Sequence, residues 1–328
     1  VSLLVNHRAI VFPAIREVRL EPIQPPPPGP GELAVRVEVS GVSQGTELWA
    51  LTGKRHELQF PTIPGYQAVG LVDHVGDGVE GFASGDRVVL HRGNVPDGYP
   101  DTWMGTHQSH VVTPVAGDPP VRKLPAGVSA NEAVLCAMAA VSLRGVQMLD
   151  VPLGATAVVL GQGLIGQAAA QLLRARGAYV IATDLSERRL ELSRRHSADV
   201  AVDPRTQDPG ELVRQRHAEG ADIVVDTTGR AGDFATWIDL LRTDGQLLMQ
   251  GYYPDPIHFD FFHTHLKRPR IAISCGIGDT ALTLDLIATG RLTWAPMVTD
   301  SVPIDQAPQM YQRMLDGDAN MLGVVFQW

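Results

Sequence analysis

Apolar and polar positions alternate in the first third of the chain. Residues 33–39 read Leu-Ala-Val-Arg-Val-Glu-Val, with every odd position apolar and Arg36 and Glu38 between them. A period of two belongs to a strand with one buried face. β-Branched runs at 68–72, 87–90 and 110–113 are separated by glycine and proline, and together they predict a mostly β domain of barrel type. Near residue 125 the pattern changes. Six short apolar runs (157–160, 179–183, 199–202, 222–226, 246–250 and 271–274) then alternate with helical stretches, which predicts an α/β doubly wound parallel sheet. Helices are expected again at 280–288 and 304–315, and a strand at 323–328. That tail is too short to bury a core of its own, so it is expected to complete the first domain. The expected division is 1–125 with 279–328, and 126–278.

Between the runs at 157–160 and 179–183 lies Gly161-Gln162-Gly163-Leu164-Ile165-Gly166, followed by the helical stretch 167–176. An acid, Asp184, follows the second run. Strand, glycine turn, helix, strand and acid in this order form a dinucleotide fingerprint. Glycines allow the tight turn, the approach of a pyrophosphate and the packing of helix on strand, while the helix N-terminus offers N–H groups to phosphate. Gly161, Gly163, Leu164, Ile165 and Gly166 are therefore candidate cofactor contacts. Asp184 can accept both hydroxyls of an adenosine ribose and repels a 2′-phosphate, so NAD is expected over NADP. Arg188 and Arg189 keep NADP possible, because two arginines also tolerate phosphate; otherwise they line a solvated helix face at 186–195. Thr227 and Gly251 end later strands at the carboxyl edge and are expected to flank the nicotinamide.

Composition narrows the class. The chain has 328 residues, 19% charged and 44% hydrophobic, with a formal charge of −9, the balance of a globular soluble enzyme. The negative charge argues against nucleic acid. The longest clear apolar run, residues 133–141, falls short of a membrane span. Residues 25–30 are a short polyproline connection. Only two cysteines occur, Cys136 and Cys275, both read as buried small hydrophobes, and the N-terminus lacks the look of a secretory signal; a reduced, cytoplasmic setting is expected.

The segments Pro64-Gly65-Tyr66-Gln67-Ala68-Val69-Gly70 and Gly85-Asp86-Arg87-Val88, followed by the fingerprint, resemble the medium-chain dehydrogenase/reductase superfamily over essentially the whole chain. The resemblance implies a GroES-like catalytic domain, closed by the C-terminal segment, around an inserted Rossmann domain. It also implies a small-molecule substrate and a homodimer. Zinc alcohol dehydrogenases of the superfamily take metal ligands from a Cys-x-x-Asp segment and a Gly-His-Glu segment. Here those segments read Gln44-Gly45-Thr46-Glu47 and Gly65-Tyr66-Gln67. An amide and a phenol do not replace thiolate and imidazole, and Cys136 alone makes no site, so no metal is expected. The Ser-x-Gly-Thr-Glu pattern and the sequences at 251–253 and 325–328 are similar to a smaller branch that includes bacteriochlorophyllide a dehydrogenase.

The resemblance implies a zinc-independent transfer of hydride between a nicotinamide and a secondary alcohol or ketone, such as a sugar, cyclitol or other hydroxylated metabolite. Thr46 stands where zinc members carry a proton-relaying hydroxyl, and Tyr66 where they carry a ligand histidine. Glu47 and Gln67 can orient these groups, and Ser43 can contact the nicotinamide side. Each has a plainer role open to it: Thr46 capping a helix that starts at Glu47, Tyr66 filling the metal void, Glu47 pairing with an arginine. His107 is a candidate terminal proton acceptor facing the cleft, with His110 on the opposite face of one strand. His263 and His265 share a face if the segment 252–267 is extended, and are read as solvated loop residues. Three other functions stay open: a zinc-free quinone or enoyl reductase acting on a conjugated C=C, a hydroxyethyl dehydrogenase of the bacteriochlorophyllide type, and a non-catalytic NAD(H)-binding protein.

Overall fold

The computed structural model describes residues 7–253 and 255–328. The first six residues, on which the reading of the N-terminus partly rests, and Pro254 lie outside the described residues. The chain forms two compact units. One comprises the residues up to Ala137 with Thr280–Ala288 and Val298–Trp328; the other comprises Met138–Asp279 with Thr289–Met297. Among the described residues no helix is long and apolar enough to cross a membrane.

The first unit is built on a seven-stranded sheet. Its path runs Val298–Pro303, Gly323–Gln327, Glu32–Gly41, Ala68–Val75, Arg87–Leu90 and Arg122–Lys123, with His110–Pro114 also paired to Glu32–Gly41. The alternation of residues 33–37 has the expected result: Leu33, Val35 and Val37 are buried with Ala68, Val72, Val88, Leu90 and Val111. Between Val37 and Val39 the register against Ala68–Val75 slips by one residue. The slip carries Ser40, opposite Ala68, onto the inward face that Val37 already occupies. A second core gathers Phe12, Val42, Leu51, Met104, Ile304, Met310, Tyr311, Met314, Val324 and Phe326. Each fully buried Leu or Phe contributes roughly 2–3 kcal/mol, so this cluster firmly joins the helix Gln44–Leu51 to the C-terminal elements.

The second unit is a six-stranded sheet ordered Val200–Val202, Tyr179–Thr183, Thr156–Leu160, Ala221–Asp226, Leu241–Met249, Arg270–Ile273, with every pair parallel. The helix Leu164–Ala175 follows the central strand and buries Ala168, Ala169, Ala170, Leu172 and Leu173. Its alanine run and apolar stripe are what a crossover helix on a parallel sheet requires.

Four expectations are corrected. The C-terminal helix spans Ala307–Leu315, because Ile304–Gln306 forms a 3-10 turn ahead of Pro308. Part of the segment holding His263 and His265 is a helix, Phe261–Lys267: Asp260 accepts the His263 backbone N–H at 3.1 Å and caps it, and His263 Nε2 lies 3.0 Å from Asp239. His107 precedes the strand that begins at His110, so a shared strand does not fix the directions of the two rings. Cys275 is exposed, whereas Cys136 is buried.

Candidate functional site

The helix Gln44–Leu51 organizes the first group of side chains. It starts three residues earlier than a Thr46 cap would require, and Ser43 at its N-cap makes no side-chain cap bond. Instead the Ser43 backbone N–H donates to Glu47 Oε1 at 2.8 Å, one helical turn on. The Ser43 hydroxyl oxygen is thereby left to accept from Tyr66 Oη at 2.7 Å, and Thr46 also hydrogen-bonds the Tyr66 phenol. Burial is the main cause that pushes the Tyr66 phenol up to about 12, with the Glu47 charge adding to it and the two hydroxyls opposing it. The phenol is therefore a neutral donor at physiological pH. Its ring lies 5.4 Å from that of Trp103.

Glu47 and His107 face each other in the interior of the first unit. Among the described residues Glu47 pairs with no arginine. It is fully buried, its Oε2 lies 3.1 Å from His107 Nε2, and it accepts the Tyr311 hydroxyl. His107 Nδ1 lies 2.7 Å from Ser40 Oγ, which accepts the Trp328 indole N–H at 2.8 Å. With Nε2–H donating to Glu47 and Nδ1 accepting from Ser40, every polar atom of the chain is satisfied. His107 is fully buried and both its ring nitrogens are engaged, so it has none free for a substrate proton. Gly65 completes the arrangement: its φ is +86°, and a Cβ there would lie 2.6 Å from the His107 ring. Burial, with the Glu47 charge next, holds the Tyr311 phenol well above its ordinary value.

The donors at the metal-ligand positions do not fit zinc. The Gln44 side-chain amide donates to the Leu322 carbonyl at 3.0 Å, and the Tyr66 phenol donates to Ser43. Burial pushes the Cys136 thiol up to about 12, away from the thiolate a metal needs. Among the described residues no three His, Cys, Asp or Glu side chains are grouped to hold an ion.

The glycine turn of the second unit, in contrast, fits a dinucleotide. Gly161 has φ +85°, a Cβ on Gly166 would fall 1.9 Å from the Gly161 carbonyl oxygen, and Gly163 at the N-cap has open space around it. No side chain caps that helix end, which leaves its first N–H groups for phosphate. Leu164 and Ile165 form the first turn, where the Ile165 carbonyl accepts Ser142 Oγ at 2.7 Å. Asp184 follows the strand Tyr179–Thr183 and accepts the Gln162 N–H at 2.6 Å and the Ser186 N–H at 2.8 Å. Arg189 Nη1 is 3.9 Å from its Oδ2, and Arg188 is exposed. Thr227 Oγ1 donates to the Leu160 carbonyl at 2.9 Å, and Gly251 N–H donates to the Asp226 carbonyl at 3.1 Å.

Several participants lack a fingerprint of their own. Asp226 accepts from Thr228 Oγ1 and from Tyr253 Oη, each at 2.6 Å, and so ties the loop after one strand to the loop after the next. Its burial raises the carboxyl, and these hydrogen bonds oppose the rise. An acid closing an apolar strand, as at Asp184, was a readable signal for it. Ser40, Tyr311 and Trp328 carried none, because their partners lie far away in sequence.

The chain belongs to the medium-chain dehydrogenase/reductase superfamily, as an oxidoreductase of the alcohol dehydrogenase type. Its residues 29–145 match the model of the alcohol dehydrogenase GroES-like domain, and residues 165–289 that of the zinc-binding dehydrogenases. It is 28% identical over 324 residues to an alcohol dehydrogenase of Moraxella sp., covering 92% of this chain and 94% of that one. It is 27% identical over 346 residues to 2-desacetyl-2-hydroxyethyl bacteriochlorophyllide A dehydrogenase of Cereibacter sphaeroides, covering 98% of each. A Sinorhizobium meliloti dehydrogenase solved with NADP bound superposes with a TM-score of 0.86 at 22% identity, over 98% of this chain and 99% of that one.

Proposed function

We propose that the protein transfers a hydride between NAD and a secondary alcohol or ketone without zinc. The observation that carries this reading is the chain of neutral hydroxyls, Ser43, Tyr66 and Thr46, built around the phenol that stands where zinc relatives carry a ligand histidine. When bound, the nicotinamide supplies the hydride acceptor or donor. Tyr66 and Thr46 then hydrogen-bond the reacting oxygen, whose proton is released to solvent on oxidation and returned from it on reduction, while Glu47 and His107 hold the helix that carries Thr46. The substrate is a hydroxylated small molecule; the bacteriochlorophyllide relative extends the candidates to a hydroxyethyl side chain. A homodimer belongs to the same reading, supported by the exposed apolar residues Ile271 and Ile273 on an edge strand and Phe261 and Phe262 on the helix before it.

Purified protein should oxidize a panel of secondary alcohols with NAD, hold no stoichiometric zinc, keep its activity in chelators, and sediment at twice the chain mass. One zinc per chain, removed together with activity, ends the zinc-independent mechanism. Reduction of enones with NADPH and no alcohol oxidation favours the quinone or enoyl reductase instead, and cofactor binding without turnover on either panel favours a sensor of NAD(H).

NAD is assigned over NADP because Asp184 stands at the ribose position. Asp184→Ser should weaken NAD binding by about tenfold or more, the worth of a charged acceptor, and improve NADP relative to NAD. Unchanged selectivity in binding titrations removes Asp184 from the site, and a wild-type preference for NADP, the cofactor bound in the Sinorhizobium relative, transfers the assignment to Arg188 and Arg189.

A further inference from the structure

In the antiparallel pair Ala68–Val75 and Arg87–Leu90, Ala68 stands opposite Leu90, and both side chains enter the core. Continuing that register by one residue sets Gln67 opposite His91, on the other face of the sheet. Both are withdrawn from solvent, Gln67 completely and His91 to 5% exposure. Nevertheless Gln67 Oε1, Gln67 Nε2 and His91 Nε2 have no hydrogen-bond partner among the described residues. Buried polar atoms are nearly always paired, and three unpaired atoms in register are unfavourable unless another molecule supplies their bonds.

The atoms define what that molecule must offer. His91 Nδ1 lies 3.3 Å from the Tyr66 carbonyl oxygen, which can only accept; Nδ1 therefore carries the hydrogen and Nε2 presents a bare lone pair. Burial brings the His91 imidazole down to about 4, so it is uncharged at neutral pH. Gln67 adds an acceptor and a donor, again without charge. Gly41 donates its N–H to the Gln67 carbonyl, and a Cβ on Gly41 would fall 2.7 Å from Leu135, so an apolar side chain packs on the backbone paired with Gln67. A carboxylate or phosphate would meet the His91 lone pair, and an ammonium would lose its hydration with no charge to compensate. A hydroxyl, which both donates and accepts, fits.

We propose that Gln67 and His91 form a subsite for a second, non-reacting hydroxyl of a diol substrate, which donates to His91 Nε2 and accepts from Gln67 Nε2. Tyr66, assigned above to the reacting oxygen, is the neighbour of Gln67 and the residue whose carbonyl orients His91. The turnover arm of the test rests on the alcohol reading; the binding arm does not.

The probes are 2,3-butanediol and 2-butanol, which differ by one hydroxyl. In His91→Phe the ratio of kcat/KM for diol over mono-alcohol should fall by at least about tenfold while 2-butanol alone stays within about threefold of wild type, and in Gln67→Leu the same ratio should fall as far. An unchanged ratio in both variants, or an equal loss on both alcohols, overturns the subsite. In ¹⁵N-labelled wild-type protein, the His91 Nε2 resonance should move with the diol and stay with 2-butanol, a readout that needs no variant to fold. A resonance indifferent to the diol also overturns it. A diol that moves the resonance while neither alcohol is oxidized leaves the subsite standing and removes the alcohol reading.

Discussion

Tyr66→Phe and Thr46→Val should each lower turnover on a secondary alcohol by about 10²-fold or more while leaving the affinity for NAD unchanged. Each substitution removes one hydroxyl from the chain Thr46–Tyr66–Ser43 and leaves the glycine turn of the other unit untouched. Because burial lifts the Tyr66 phenol from 10.0 to about 12, it acts as a donor and not as a phenolate base. No limb of the pH–rate profile between about pH 6 and 9 should therefore belong to it. The raised value has a thermodynamic counterpart. The neutral form is the one favoured in the folded state, so its contribution to stability is complete below pH 10.0 and is lost as the pH rises toward about 12. Single-turnover hydride transfer in folded variants that still bind NAD(H) is the deciding measurement. Rates near wild type in both variants sink the hydroxyl chain.

Glu47→Leu should destabilize the first unit by about 3–5 kcal/mol, because the Ser43 N–H, the His107 Nε2–H and the Tyr311 hydroxyl would all lose one buried acceptor. His107→Ala should also destabilize it, by leaving Glu47 and Ser40 short of a partner in a fully buried setting. Glu47→Gln, which keeps the shape and one acceptor oxygen, should cost less in both stability and turnover. Denaturant midpoints and slopes, read on the first unit, separate these cases. A His107→Ala protein of unaltered stability with turnover reduced as in Thr46→Val would return His107 to the chemistry.

The sequence showed elements better than it showed partners. The alternation at 33–39 and the apolar runs beyond residue 156 mark real strands because their period reports which face is buried, and burial is a local property of a strand. The glycine fingerprint was readable for a similar reason: its constraints act within a few residues. The Glu47 network was not readable, since Tyr311 lies 264 positions from Glu47 and Trp328 lies 288 from Ser40. Nothing near Glu47 announces which distant side chain will meet it. Local periodicity also failed at 261–267, where a helix with no buried residue shows no apolar stripe, although Asp260 three residues before His263 carried the cap signal. His91 follows a strand whose end was clear, but only the fold shows that its Nε2 stays unpaired.

The same long separations matter while the chain is being made. Ribosomal synthesis proceeds from the N-terminus, so Glu47 is without its Tyr311 partner until 264 further residues have followed. Every strand of the parallel sheet lies within that interval and can pair before the partner exists. The nascent dinucleotide fold is therefore expected to form first, and the helix with Ser43 and Thr46 to set only after the residues near 311 have been translated.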